Sequence, residues 1–385
     1  MDDDDLIEQL DKLLTSRCVS WLFGAGISRN AGIPLMYGLT DRVLQLASGT
    51  PEEEILVALK ADLPPSSHVE HILSYLADHI SIADRSVVKS SMLGGKPVAL
   101  DDLKNAHETV LGWIARTVRW GFFPGPPTRI GSSDEPLIKI DEHLAFVQAL
   151  FNTTLAGVAD RRAAVKLFTT NYDTLLEDAL ALCEISYWDG FDGGAVAYRS
   201  YRFGAPEPTS GFRAHIIKLH GSIDWHLDGN GRVWRVREGD LYPAADQRVL
   251  IYPQSTKYAA TQRDPFSSQF DIFRRQLCVG GGHVLVTCGY SYGDEHINDE
   301  ISAAMARGDN DAALIAFVSE GSGMPESLVK WRDLPWGKHI YVLTERGVYV
   351  GKDGPFLKPS AGDRMWWTFA NLAQVLSNGM REQLA

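Results

Sequence analysis

A short apolar run that ends on glycine constrains this chain more than any other feature in it. Val19-Ser20-Trp21-Leu22-Phe23 is followed at once by Gly24-Ala25-Gly26-Ile27-Ser28. Five residues are too few for a buried helix and suit a strand covered on both faces. The two glycines then mark a turn that another group approaches closely. The same punctuation recurs. Val165–Thr169 leads into Thr170-Asn171-Tyr172-Asp173, residues 215–219 into His220-Gly221-Ser222, and residues 283–288 into Gly289-Tyr290-Ser291. Helical periodicity fills the intervals, with helices expected over 6–16, 172–182, 265–278 and 295–306. Strands alternating with helices predict an α/β fold built on a doubly wound, mostly parallel sheet. Ligands of such sheets bind outside the carboxyl ends of the strands, where all four segments fall.

Further strands are expected at 249–252 and 312–318, a hairpin at 339–350 and a last helix at 366–377. Asp228-Gly229-Asn230-Gly231, set between apolar runs, reads as the turn of another hairpin. Residues 51–160 read as almost wholly helical, over 52–60, 68–83, 100–119 and 141–158, with breaks at Pro64-Pro65 and Pro124-Gly125-Pro126-Pro127. The expected organisation is therefore one nucleotide-binding domain, 1–50 and 160–385, interrupted by a helical insertion over 51–159.

A net charge of −12 argues against a general binder of nucleic acid or anionic membrane, either of which favours a basic surface. No apolar run approaches the roughly 18 residues of a membrane span. Four aspartates follow Met1, the opposite of a secretory start. Cys18, Cys183, Cys278 and Cys288 form no C-x-x-C pair, so neither a zinc site nor a disulfide framework is signalled. Reduced core thiols, a cytoplasmic location and no metal are expected.

Each strand-end segment has a plain structural explanation beside a chemical one. Glycines in the first loop let backbone N–H groups approach a pyrophosphate, with a helix N-terminus adding positive charge. The dehydrogenase fingerprint is absent, since Arg29 stands where the third glycine belongs and no acidic strand end follows. Asn171 and Asp173 either cap the next helix or present an amide and a carboxylate to a neutral polar ligand. His220 is either a structural strand-end residue or a base that works near neutrality. Asp294 reads as a helix N-cap. His68 and His71, one helical turn apart, read as a packed or solvated face, and Arg274-Arg275 as a solvated one.

The order of these segments resembles the sirtuin superfamily: G-A-G-x-S followed by G-I-P, then T-x-N-x-D, then an H-G pair, then a late G-x-S. The resemblance covers about residues 15–320. It implies a Rossmann-like, sirtuin-like sheet and NAD as the substrate. By the resemblance, Gly24, Ala25, Gly26, Ser28, Ile33 and Thr170 would hold NAD together with Gly289 and Ser291. Asn171 and Asp173 would position nicotinamide and water, and His220 would be the base.

The departures carry information too. The chain lacks the two C-x-x-C pairs that hold zinc in deacylating sirtuins. It has Leu35-Met36-Tyr37 where they have Asp-Phe-Arg, and Thr170 where they have Gln. With Gly289-Tyr290-Ser291-Tyr292-Gly293-Asp294-Glu295-His296-Ile297-Asn298, it is similar to the bacterial sirtuin-like NAD hydrolases of antiphage defence. That likeness implies an NAD glycohydrolase releasing nicotinamide and ADP-ribose, or a cyclic product. It also implies a homo-oligomer, with a HerA-type ring ATPase as partner. The alternatives are a protein deacylase or ADP-ribosyltransferase, a non-catalytic nucleotide sensor, and, more remotely, a hydride-transfer enzyme.

Overall fold

The computed structural model describes residues 2–153, 164–237, 247–250, 264–280, 282–308, 311–321, 323–360 and 362–384. Among the described residues, nine strands make the main sheet. Their order across it is Asp353–Phe356, Gly347–Val350, Ile340–Thr344, Ala313–Phe317, Val284–Cys288, Val19–Phe23, Val165–Thr169, Ala214–Lys218 and Tyr187–Trp188. The strands from Ile340–Thr344 through to Tyr187–Trp188 run parallel, and the two at the other edge are antiparallel. From the first strand the chain winds outward in one direction through Val165–Thr169 and Ala214–Lys218. It then returns to build the other half from Val284–Cys288. The first strand thus stands at the point where the winding reverses, as the alternation of strands and helices predicts.

Side chains of the central strands alternate between two apolar layers, the period of two that a pleated strand imposes. Trp21, Phe23, Leu167, Ile216, Val286 and Ile315 face one layer, closed by the helices Asp3–Leu14, Asp141–Gln148, Leu175–Leu182 and Phe369–Asn378. Leu22, Phe168, Ile217, Leu285 and Leu314 face the other, closed by Phe266–Leu277, Glu295–Met305 and Glu326–Arg332. Burial on both faces explains why these strands read as continuous apolar runs rather than alternating ones.

A third apolar cluster joins the helices Met36–Ala47, Glu53–Asp62, Val69–Arg85 and Leu100–Trp120. Tyr172, Leu175 and Ile223 belong to it, so this helical layer packs on the segments leaving the carboxyl ends of the sheet. The Tyr172 hydroxyl donates to Glu70 Oε1 at 2.8 Å across that junction. The expectation of an almost purely helical stretch is corrected by two hairpins, Ser90–Leu93 with Lys96–Ala99 and Phe122–Phe123 with Arg129–Ile130. Both sit at glycine-containing turns or edges too short to show strand periodicity. The helix expected over 141–158 is α-helical only over Asp141–Gln148 and widens into a π turn over Ala149–Thr153. Residues 154–158 lie outside the described residues.

A second, antiparallel sheet follows the strand end at Lys218, in the order Gln247–Leu250, Gly221–Leu227, Val233–Val236, Val196–Arg199 and Phe191–Gly193. The turn at Asp228–Gly231 closes its central hairpin as the sequence predicts, with Asp228 N–H donating to Arg232 O at 2.9 Å. Among the described residues no helix is long and apolar enough to cross a membrane. The cysteines are all free. Only Cys288 is buried and Cys278 is exposed, so the expectation of core thiols holds for one of them.

Candidate functional site

Backbone register brings the four strand-end segments to one level. Phe23 is paired with both Thr169 and Cys288, and Thr169 with Lys218. Gly24, Thr170, Leu219 and Gly289 are therefore the first residues beyond four adjacent parallel strands. Thr170 N–H donates to Phe23 O at 3.0 Å and Leu219 N–H to Thr169 O at 2.8 Å, which holds the segments together for one residue more.

The glycines of the first loop serve its contact with the fourth segment. Gly24 N–H donates to Cys288 O at 3.2 Å and Gly26 N–H to Gly289 O at 2.9 Å. A Cβ on Gly26 would stand 2.6 Å from Gly289 Cα, and one on Gly24 would stand 2.5 Å from Gly289 O. Gly289 has φ +65, and a Cβ there would meet Ile27 N at 2.5 Å. The two loops touch backbone to backbone, which only residues without side chains permit. The loop continues as a single 3-10 turn, Ala25–Ser28, and the next α-helix starts at Met36. One turn aligns too few peptides to build a full macrodipole.

Ser28 is buried and sits at the centre of a short chain of hydrogen bonds. Its hydroxyl donates to Asp173 Oδ2 at 2.8 Å and accepts from Asn171 Nδ2 at 3.0 Å. Asp173 Oδ1 accepts from Leu175 N–H at 3.1 Å, at the start of the following helix. Asp173 is thus engaged on both oxygens, and the Ser28 hydroxyl, its proton committed to Asp173, donates to another ligand only by giving that bond up. Asn171 is different. Its Oδ1 is buried and has no partner among the described residues, an acceptor whose isolation costs about 1–3 kcal/mol unless a donor arrives.

His220 leaves the Ala214–Lys218 strand one residue before Gly221, whose φ of +85 turns the chain into the second sheet. Its Nε2 lies 2.8 Å from Asp294 Oδ2, and both side chains are about nine-tenths buried. Asp294 also caps the helix Glu295–Met305, its Oδ1 accepting from His296 N–H at 3.1 Å and Ile297 N–H at 3.4 Å. The cap was legible in the sequence; the partnership with His220 was not, because nothing in a local pattern tells which strand end a capping carboxylate faces. Tyr290 OH donates to Asn298 Oδ1 at 3.0 Å and approaches Asp294 O at 3.3 Å. Burial, then the Asp294 charge, pushes the Tyr290 phenol well above its ordinary range and keeps it a neutral donor.

Beneath the site lies Lys218, almost fully buried. It forms an ion pair with Glu177 Oε1 at 3.1 Å and donates to the backbone carbonyl of Asp173. Burial raises the Glu177 carboxyl to about 6, against the pull of Lys218. Sequence reasoning passed over this lysine, since a charged residue inside an apolar strand resembles an edge position until its partner is seen.

The remaining expected residues fall as follows. Ala25 and Thr170 are half-buried at the strand-end level, and Ser291 is exposed, its Oγ accepting from Gly293 N–H at 3.3 Å. Ile33 is buried in the apolar cluster of the helical layer rather than among the polar groups. Arg275, expected on a solvated face, is exposed, and from there it donates to Tyr201 OH at 3.0 Å and approaches Glu207 Oε1 at 3.3 Å. His68 begins the helix Val69–Arg85 and its N–H donates to His71 Nδ1 at 3.2 Å. Among the described residues no group of three or more His, Cys, Asp or Glu side chains is placed to hold a metal ion.

Residues 165–333 match the family model of the SIR2-like domain. The matched span holds Thr170, Asn171, Asp173, His220, Gly289, Ser291 and Asp294, while the first glycine loop lies before it. No curated protein matches the chain. Among solved structures, the chain is similar to a Sir2 homologue in complex with NAD, at 14% identity and a TM-score of 0.41, covering 98% of this chain and 95% of that one. It is also similar to a mutant Sir2 homologue in complex with ADP-ribose, at 15% identity and a TM-score of 0.34, covering 82% and 84%. The SIR2-like span here lacks any C-x-x-C pair.

Proposed function

We propose that this chain is an NAD hydrolase that cleaves the bond between nicotinamide and ribose. The observation that carries the reading is the open Asn171 Oδ1, held by Ser28 at the same strand-end level from which His220 departs. An acceptor fixed in this way orients an O–H donor, and a neighbouring imidazole removes its proton. The match of residues 165–333 to the SIR2-like domain supports NAD as the substrate.

In the proposed reaction the C1′–N1 bond breaks with its electron pair moving to the pyridine nitrogen, so the cationic ring leaves as neutral nicotinamide. Water, oriented by Asn171, attacks C1′ from the opposite face and gives its proton to the His220 ring. The products are ADP-ribose, nicotinamide and a proton. Orientation of this kind contributes several kcal/mol, and a general base about 10²–10⁴-fold. Asp173 keeps a supporting place, fixing Ser28 and through it Asn171.

The biological setting we propose is an effector of bacterial antiphage defence that acts by depleting NAD. It rests on the likeness of the stretch from Gly289 to Asn298 to the sirtuin-like hydrolases of that class. An unrestrained NAD hydrolase drains its own cell, so activity is proposed to require assembly into a homo-oligomer, with a HerA-type ring ATPase as partner. Chromatography of NAD incubated with the purified protein, alone and assembled, tests the reaction. Nicotinamide with ADP-ribose supports it; nicotinamide release only in step with lysine deacylation points instead to the acyl-transfer chemistry.

A further inference from the structure

Val284–Cys288 and Ala214–Lys218 are separated in the sheet by two strands, a span of about 14 Å at the usual strand spacing. Asp294 and His220, which follow those two strands, nevertheless meet across it at 2.8 Å. The contact spans the two central strands, the ones that the glycine loop and Asn171 follow. We infer that Asp294 is the positioning residue of the base: its Oδ2 accepts from Nε2–H of His220, which fixes the neutral tautomer that leaves the lone pair on Nδ1. This inference rests on the assignment of His220 as the base.

Three features make Asp294 suited to the task. Its other oxygen is bound by two backbone N–H groups at the head of an eleven-residue helix, so the carboxylate cannot swing away from the imidazole. Its backbone carbonyl is approached by Tyr290 OH, and Tyr290 is locked through Asn298, whose Nδ2 donates to Tyr292 O at 2.7 Å. Finally, the carboxylate stabilises the imidazolium that forms when Nδ1 takes a proton. A carboxylate behind a catalytic imidazole holds both tautomer and orientation without itself being protonated.

The test separates this role from simple capping. Asn and Ser are as good as Asp at an N-cap, so Asp294→Asn and Asp294→Ser keep the helix and remove the charge from His220. Both should lower kcat by about 100-fold or more, with KM changed by no more than about threefold. Their melting temperatures should stay within about 2 °C of the parent. Nitrogen-15 NMR of the parent imidazoles, with the His220 signals assigned by their loss in His220→Gln, should show Nε2 protonated and Nδ1 bare. That pattern should be lost in Asp294→Asn. Parental kcat in both variants, or a His220 ring protonated on Nδ1 in the parent, overturns the inference. The NMR result stands without any turnover, so a parent that never cleaves NAD would refute the proposed reaction while the Asp294–His220 tautomer is still decided.

Discussion

The Asn171 side chain reaches the first loop of the fold through one hydroxyl, Ser28 Oγ, which accepts from Asn171 Nδ2 at 3.0 Å while donating to Asp173 Oδ2 at 2.8 Å. Residues separated by more than 140 positions in sequence are thereby fixed to one another. Ser28→Ala should therefore act on chemistry as well as folding. With the hydroxyl gone, Asn171 is free to rotate and Asp173 keeps only its bond from Leu175. Loss of such a buried link costs about 1–3 kcal/mol, and kcat should fall at least tenfold with it. Denaturant melts beside a nicotinamide-release assay check both; an unchanged kcat would show that Asn171 needs no help from the first loop.

The close contact of the glycine loops makes a second prediction. Gly26→Ala adds only a methyl group, yet that methyl would stand 2.6 Å from Gly289 Cα and must push the two loops apart. Stability should fall by about 1–3 kcal/mol, the usual cost of overpacking, and NAD binding should weaken along with it. Gly289→Ala should be at least as severe, since φ +65 adds backbone strain to the clash. Calorimetric titration and thermal melts read the two effects; a Gly26→Ala protein with parental melting temperature and affinity contradicts the packing described.

Lys218 offers a third. Lys218→Met leaves the Glu177 carboxylate buried without its cation, and breaking a buried pair from one side costs about 3–5 kcal/mol. Adding Glu177→Gln should recover part of that loss, because the double variant buries no unpaired charge. Urea melts of the single and double variants decide it. A double variant no more stable than Lys218→Met alone would mean that the pair does not couple.

Acid sensitivity follows from two buried histidines. Burial lowers His143 to about 4 and His283 to about 4, against an ordinary 6.5. Both rings are neutral in the folded state, so below pH 6.5 the unfolded chain takes up protons that the folded chain refuses. Stability is thus full above about pH 6.5 and falls as the pH drops toward 4, by at most about 3 kcal/mol for each ring. Glu207, brought to about 2 despite its burial by Lys166 and His215, adds a loss only below the ordinary carboxylate range. Burial lowers His107 to about 4 as well and adds to the loss, whereas Glu177, raised to about 6, takes up a proton in the folded state between pH 7 and pH 5 and offsets part of it. Urea melts should therefore show lower stability at pH 5 than at pH 7, and His283→Gln should reduce the difference. Equal stability at the two pH values in the parent contradicts this.

Much of the sheet was legible because strands buried on both faces leave apolar runs that glycine or a polar cluster ends abruptly. Val19–Phe23 before Gly24 and Val284–Cys288 before Gly289 are of this kind. The positions of Asn171 and His220 followed, since the carboxyl end of a parallel strand is a fixed place in such a fold. Relations between segments were not legible. Gly24 and Gly26 look alike whether or not another loop packs on them, and their contact with Gly289 is written in neither segment. Asp294 announces its cap through neighbours in sequence, whereas His220 lies 74 positions away. The second antiparallel sheet was mostly hidden for a similar reason: its short strands Phe191–Gly193 and Val196–Arg199 carry too few residues to show a period.

The central claim is that His220 acts in the chemical step, and one comparison tests it directly. Parent and His220→Ala protein are each titrated with NAD in a calorimeter and assayed in parallel for released nicotinamide. A group that acts only in the transition state can be removed without weakening ground-state binding. The account predicts near-parental affinity in His220→Ala together with a loss of at least about 100-fold in nicotinamide release. Cleavage at the parental rate by His220→Ala, or a parent that binds NAD and never cleaves it in any assembly state, would contradict it.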